Sequence, residues 1–396
     1  MKYTLLYICI ATSLLALVSC SKDDVTSDVT ESPQPAPDPK DDDEPVSWLT
    51  RATTAAEIQS VEDAVSAIRG AGYTYRDNQS YCVGTDMEVF NTRHLRELEN
   101  KYNTSYIVDD YMPTTEQKFF YSQSVDELNK QLSLDIGVGV AAGVFSVDLE
   151  VGFNKKNYST TKNYYSLKRM KQSYFTRDLN YLSLREQVAN AIAASSVAST
   201  YAGIDALALG KAVPMFKEIY APGFADVMQK FVGNIHGATS AYDASAICRE
   251  FIEEVGPGFV TRSVLGCSLD YYNTTRMDSV SNSLDVKVAL EMAVQIKFIE
   301  ISASVSTEYK DAVMKCNRNS ESHITARGGN VALVTAFTTG QQATLDTETL
   351  KEWQETVTPQ DAALIDIRLV PIYEVIYDKK ARTILQNYMN KSLQNF

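Results

Sequence analysis

The chain has 396 residues, 44% of them hydrophobic, and a formal charge of −13. That acidic balance leaves no basic footprint for nucleic acid. The six cysteines and three histidines are too few and too scattered for a dense disulfide scaffold or a cysteine–histidine metal centre.

The first nineteen residues read as a signal peptide: Lys2 supplies positive charge, and Leu5 to Val18 is apolar but too short to span a bilayer. Leu17-Val18-Ser19-Cys20 resembles the lipobox of bacterial lipoproteins, which implies that Cys20 becomes the lipidated first residue of the mature chain. Ser21-Lys22-Asp23-Asp24 resembles the surface-export signal of Bacteroidetes lipoproteins. Residues 20–47 hold nine acidic residues against two lysines and are rich in proline, so they read as an extended, self-repelling tether. Asp41-Asp42-Asp43-Glu44 is expected to be solvated there and not to bind calcium.

Residues 48–396 show no second linker and read as one domain. Ser47 to Ile68 is an amphipathic helix pattern, and Gly70-Ala71-Gly72-Tyr73 opens a tyrosine-rich stretch that starts a sheet. Tyr164 to Phe175 reads as a strand. Leu182 to Ile235 is alanine-rich and helical, interrupted around Pro214 and Pro222-Gly223. A helix is expected at Ala241 to Val255, ended by Gly256-Pro257-Gly258, then a strand from Phe259 to Tyr272. Ile365 to Tyr377 reads as a strand interrupted at Pro371, and Lys379 to Phe396 as a closing helix. Cys82, Cys248, Cys267 and Cys316 are expected to be buried, unpaired thiols; the sequence does not say which of them an exported protein would pair, and Cys267–Cys316 is the foremost candidate.

Two segments alternate strictly. In the first, Leu132, Leu134, Ile136, Val138 and Val140 alternate with small or polar residues, the phase slips at Ala141-Ala142-Gly143, and Phe145, Val147, Leu149, Val151 and Phe153 resume it. In the second, Leu284, Val286, Val288, Leu290, Met292, Val294, Ile296 and Phe298 alternate, and after a slip at Ile299 the run continues through Ile301 and Val305. Such spacing places apolar side chains on one face of a strand and polar ones on the other. It suits a hairpin between lipid and water, and it equally suits a half-buried hairpin in a soluble sheet. Roughly ten such residues cross a bilayer core.

The order of these pieces resembles the membrane attack complex/perforin (MACPF) family. The family's signature is an aromatic, Gly, Thr or Ser, His, an aromatic, six residues, then Gly-Gly. Here Gly256, Phe259 and Gly266 fit it, while Val255, Pro257, Gly258 and Cys267 depart from it. Gly328-Gly329-Asn330 is similar to the family's later glycine pair, and Pro371-Ile372-Tyr373-Glu374 before a last helix is similar to its ending. The resemblance covers roughly residues 50–396 and implies an α+β fold: a bent, twisted four-stranded antiparallel sheet flanked by two helical clusters that convert to membrane β-hairpins. The clusters would be Ser124 to Tyr158 and Leu284 to Asn319, with Gly256, Gly258, Phe259, Gly266, Gly328 and Gly329 at signature or hinge positions. Helix-weakening glycines in the first cluster and β-branched residues in the second fit segments that must switch.

No Gly-Lys-Ser phosphate loop or GxSxG elbow occurs, so neither an enzyme nor a cofactor or metal is expected. The resemblance implies a pore-forming outer-membrane lipoprotein, surface-exposed or released, that assembles into a homo-oligomeric ring on a target membrane. A receptor, an outer-membrane protein or glycolipid, is implied, and related bacteria are the expected targets. A non-lytic surface adhesin of the same fold, binding host glycan or protein, is the alternative.

Overall fold

A computed structural model describes residues 70–75, 87–135, 163–279, 286–295, 314–316, 318, 320–341 and 344–394. All lie in one unit, Pro45–Phe396. The expected signal segment, Cys20, the tether, the helix at 47–68 and Cys82 lie outside the described residues.

The strands in chain order are β1 (Thr74–Tyr75), β2 (Ile107–Asp110), β3 (Thr114–Ser122), β4 (Asn163–Leu179), β5 (Gly258–Arg276), β6 (Ser320–Arg327) and β7 (Ala363–Pro371). All pairings are antiparallel, in one seven-stranded sheet. β4 and β5 form its long spine, paired from Asn163↔Arg276 to Asp178↔Arg262. β3 and β2 follow one another along the outer edge of β4, and β6 and β7 along the outer edge of β5. Six of the seven strands therefore make the expected four columns, with each outer column broken once, and the short β1 pairs with β5 at Gly258 and Phe259. Between β2 and β3 the break contains Pro113, which has no N–H for the ladder. Between β6 and β7 the chain leaves through Gly328 and Gly329, both with positive φ.

The helices are α1 (Thr92–Tyr102), α2 (Val125–Asp135), α3 (Tyr181–Ala193), α4 (Ala206–Ala212), α5 (Pro214–Ile219), α6 (Pro222–Gly237), α7 (Ala241–Val255), α8 (Val286–Gln295), α9 (Thr335–Thr338), α10 (Thr347–Glu355) and α11 (Lys379–Gln394). Pro214 and Pro222 open α5 and α6, where the missing N–H costs nothing, so the helical stretch is divided at its prolines. α7 has the bounds its periodicity implies. Ser240 caps it by accepting the Asp243 N–H at 3.1 Å, and Cys248, Phe251 and Val255 form its buried stripe.

Helices α3 to α7 and α11 share one hydrophobic core with Phe90, Leu95 and Phe259. A second core lies along the sheet, built from Leu128, Leu132, Leu167, Met170, Leu269 and Trp353 among others. Two expectations need correction. The last strand does not run on to Tyr377: it ends at Pro371, and Ile372–Val375 form a 3-10 turn that buries Ile372 and Val375 in the helical core. No bridge joins Cys267 to Cys316; with Cys248 they are buried thiols.

Candidate functional site

Local sequence puts a defect at the middle of the spine. Ser173 pairs with Gly266 and Phe175 with Leu265, so Tyr174 is an extra residue on β4, and a bulged strand bends there. A Cβ on Gly266 would lie 2.0 Å from the Gln172 carbonyl oxygen, so only glycine lets the two strands approach this closely. Gly328 (φ +75°) turns the chain out of β6 against the same point, where a Cβ would lie 2.2 Å from the Gly266 carbonyl oxygen. The C-terminal end of α10 plugs the bend from outside. Trp353 Nε1–H donates to the Gly328 carbonyl at 3.0 Å, and the Tyr174 hydroxyl donates to the Gln354 carbonyl at 2.8 Å.

The signature residues therefore divide into two groups. Gly266 and Gly328 meet at the bend, and Gly329 packs beside them against Trp353, Thr356 and Val357. Gly256 (φ +88°) instead closes α7, Gly258 opens β5 beside Pro371, and Phe259 is fully buried against Phe90 and Tyr181 in the helical core.

Strand alternation sorts the upper sheet into two faces. Glu116, Lys118, Arg169, Lys171 and Asp270 share one, and Phe119, Tyr121, Lys168 and Tyr271 share the other. α2 is tied to the first face by the Lys118 ammonium, which donates to Asp135 at 2.6 Å, and Leu128 and Leu132 of α2 are fully buried. α8 lies on the second face, where Ala289, Leu290 and Ala293 pack against Phe119, Tyr121 and Tyr164.

The described parts of both alternating segments are thus helical. Leu132, Leu134, Val286, Val288, Leu290, Met292 and Val294 lie in α2 or α8. The other alternating positions, Ile136, Val138, Val140, Phe145, Val147, Leu149, Val151, Phe153, Leu284, Ile296, Phe298, Ile301 and Val305, lie outside the described residues. In α8 the helical period cuts across the alternation. Ala289 and Ala293, from the polar phase, are buried, while Val288, from the apolar phase, is 42% exposed.

Charges pin the spine. Arg169 of β4 and Asp270 of β5 are register partners and form a buried two-pronged ion pair, with Nε and Nη2 donating to the carboxylate at 2.9 and 3.2 Å. Lys171 donates to Asp366 of β7 at 2.7 Å. Burial acts to lower the Lys118 ammonium, but its hydrogen bonds to Asp135 and Glu116 outweigh that and hold it above its ordinary value. Lys168, under α8, is pulled below its ordinary value by burial, against the opposing field of Glu291. Sequence reasoning missed the Arg169–Asp270 pair and the Trp353 plug, since neither carries a local motif. Among the described residues no group of His, Cys, Asp and Glu is placed to hold a metal, and no helix is long and apolar enough to cross a membrane.

Residues 217–396 match the family model of the MAC/Perforin domain. No curated protein sequence matches the chain. Among solved structures it is similar to GNIP1Aa from Chromobacterium piscinae, at 16% identity and a TM-score of 0.58 over 83% of this chain and 56% of that one. It is also similar to a protein with a MAC/Perforin domain from Bacteroides thetaiotaomicron, named as a candidate for cell invasion, at 16% identity and a TM-score of 0.50 over 81% of this chain and 59% of that one. The chain therefore spans under three-fifths of the length of either structure, and the likeness is one of fold. The family model covers the later part of the helical core, the strand β5 and the bend glycines, and the fold around them agrees: the chain has the MACPF fold.

Proposed function

We propose that this protein is a pore-forming, membrane-attacking lipoprotein, anchored through Cys20 at the outer surface of its producer, and that it acts on related bacteria. The observation that carries the reading is the conflict in α8: a sequence alternating with period two is wound into a helix that buries Ala289 and Ala293 and leaves Val288 in water. A strand would resolve the conflict by placing every apolar residue on one side. Each fully buried aliphatic side chain gains about 1.5–3 kcal/mol. A lone hairpin would leave its edges without partners in lipid, so subunits must close into a ring before they insert.

The test is dye release from liposomes and from candidate target cells on adding the purified mature protein. A short bis-maleimide bridging Lys118→Cys to Asp135→Cys holds α2 on the sheet. The bridged protein is expected to release no dye, and the unbridged double variant to keep activity. Absence of leakage and of rings on every membrane tried removes the lytic reading. The name of the Bacteroides relative, a candidate for cell invasion, favours a second reading, a non-lytic surface adhesin. An adhesin keeps its binding when α2 is bridged.

A further inference from the structure

We infer that in the converted state the sheet face carrying Lys168, Tyr271 and Asn273 lines the aqueous passage, while the opposite face, carrying Lys118 and Asp270, turns outward. The inference rests on the pore-forming reading and adds to it an orientation and a selectivity-determining residue.

Register and sequence phase carry it together. On β3 the odd-numbered residues Phe119 and Tyr121 share the face of Lys168, and the even-numbered Lys118 and Phe120 take the other. On β5 the odd-numbered Tyr271, Asn273 and Thr275 share the face of Lys168, and the even-numbered Asp270 and Tyr272 take the other. α2 follows β3, and α8 follows β5. In α8 the apolar positions Val286, Val288, Leu290, Met292 and Val294 are even, while Lys287, Glu291 and Gln295 are odd. In α2 the terminal Leu132 and Leu134 are even and Asp135 is odd.

A helix that unrolls as an extension of its preceding strand keeps that strand's alternation. Apolar positions must then meet lipid and polar positions water. Both segments, each measured from a different strand, put water on the Lys168 side. The sequence of the return runs has the matching parity. Ser146, Asp148 and Glu150 are even, as Lys168 is in β4, and apolar Ile301 and Val305 are odd, as Arg327 on the outward face of β6 is.

Chemistry follows from the assignment. Among the described residues of the sheet rows 114–122, 163–172, 267–276 and 320–326, Lys168 is the charged residue on the passage-lining face; its neighbours there include Gln117, Gln172, Asn273 and Ser322. In the monomer it is buried beneath α8, in the field of Glu291. Departure of α8 uncovers it, and one copy per subunit sets a ring of ammonium groups around the passage, which attracts anions and holds back cations.

The experiment is single-pore recording in planar bilayers under a potassium chloride gradient. Lys168→Gln is expected to move the reversal potential toward that of potassium, Lys168→Glu to move it further, and Lys118→Gln to leave it at the parent value. Asn273→Cys, with Cys82, Cys248, Cys267 and Cys316 replaced by serine and Cys20 kept, gives a second measure: a bulky membrane-impermeant maleimide added to open pores lowers their conductance. Pores whose selectivity ignores residue 168, or follows residue 118 as strongly, overturn the assignment, as does unchanged conductance after labelling at 273. A parent protein that never conducts overturns the pore-forming reading itself.

Discussion

At the bend a side chain on Gly266 would meet the Gln172 and Ser173 backbone, and one on Gly328 the Gly266 carbonyl, so either has to displace backbone, not a movable neighbour. Gly266→Ala and Gly328→Ala are each expected to lower stability by about 1–3 kcal/mol or more, Gly328 doubly so because of its positive φ. Gly223, in the first turn of α6, has nothing within 4 Å of the place a methyl group would take, and Gly223→Ala is expected to raise stability by up to about 1 kcal/mol. Thermal unfolding of the three variants checks both signs. Asp270→Ala strands the Arg169 guanidinium in the spine and is expected to cost about 3–5 kcal/mol in urea titration, while Arg169→Met with Asp270→Leu recovers most of it. Burial pushes the Cys248 thiol up to about 11 and the Cys267 thiol up to about 12, so both should resist alkylation at neutral pH until the protein is unfolded. Gly266 and Gly328 stand out in the sequence as glycines flanking strand patterns. Their mutual contact does not, because it depends on a register that brings residues 62 positions apart together, and no local pattern encodes that distance.

Helix α8 carries a sequence of strand period in a helical structure. Val288 lies 42% exposed in the helix, so Val288→Lys should change monomer stability by no more than about 0.5 kcal/mol. On the lipid face of a strand the same lysine costs about 2–4 kcal/mol per subunit. The variant is therefore expected to fold, bind and fail to release dye, a separation that chemical denaturation and leakage assays read directly. Leu132→Ala on α2 is expected to behave oppositely. It removes a fully buried side chain from the sheet core, costs the monomer about 2–5 kcal/mol, and speeds permeabilisation by loosening the helix. The alternation of these segments is plain in the sequence, as is α7, whose stripe and terminal glycine leave one solution. α1 and α10 are harder to see, although Leu95/Leu98 and Leu350/Trp353 each have helical spacing, because each segment offers only one such pair amid charged residues. β2 and β3 are hidden because in β2 the apolar Val108 faces outward while Asp109 turns inward to Arg177, and Pro113 interrupts the run.

At the scale of the molecule, two cores meet at β5: its first residues belong to the helical core and the remainder to the sheet. Buried phenols concentrate in both. Burial raises Tyr220 and Tyr377 in the helical core and Tyr272 in the sheet, all well above the ordinary tyrosine value. A phenol held neutral in the folded state contributes fully below its unfolded pKa of about 10, and that contribution is lost as the pH rises from there toward the folded value. Stability is therefore expected to be flat with respect to these groups up to about pH 10 and to fall beyond it. The phenolate absorbance of the buried tyrosines should appear in step with loss of helical circular dichroism, as a second rise after that of the exposed ones. The order of helix, signature glycines and strand is legible at this scale, and the family model covers the same stretch. The broken outer columns are not, since they rest on pairings between strands far apart in sequence, which no local pattern encodes.

The salt link between Arg169 and Asp270 has a last consequence. A one-step slide of β4 past β5 would throw each charge to the side opposite its mate, so the ladder can flex but cannot creep. Any larger cylinder assembled from these subunits inherits its stagger from a decision already made in each separate molecule, in water, before a membrane is met.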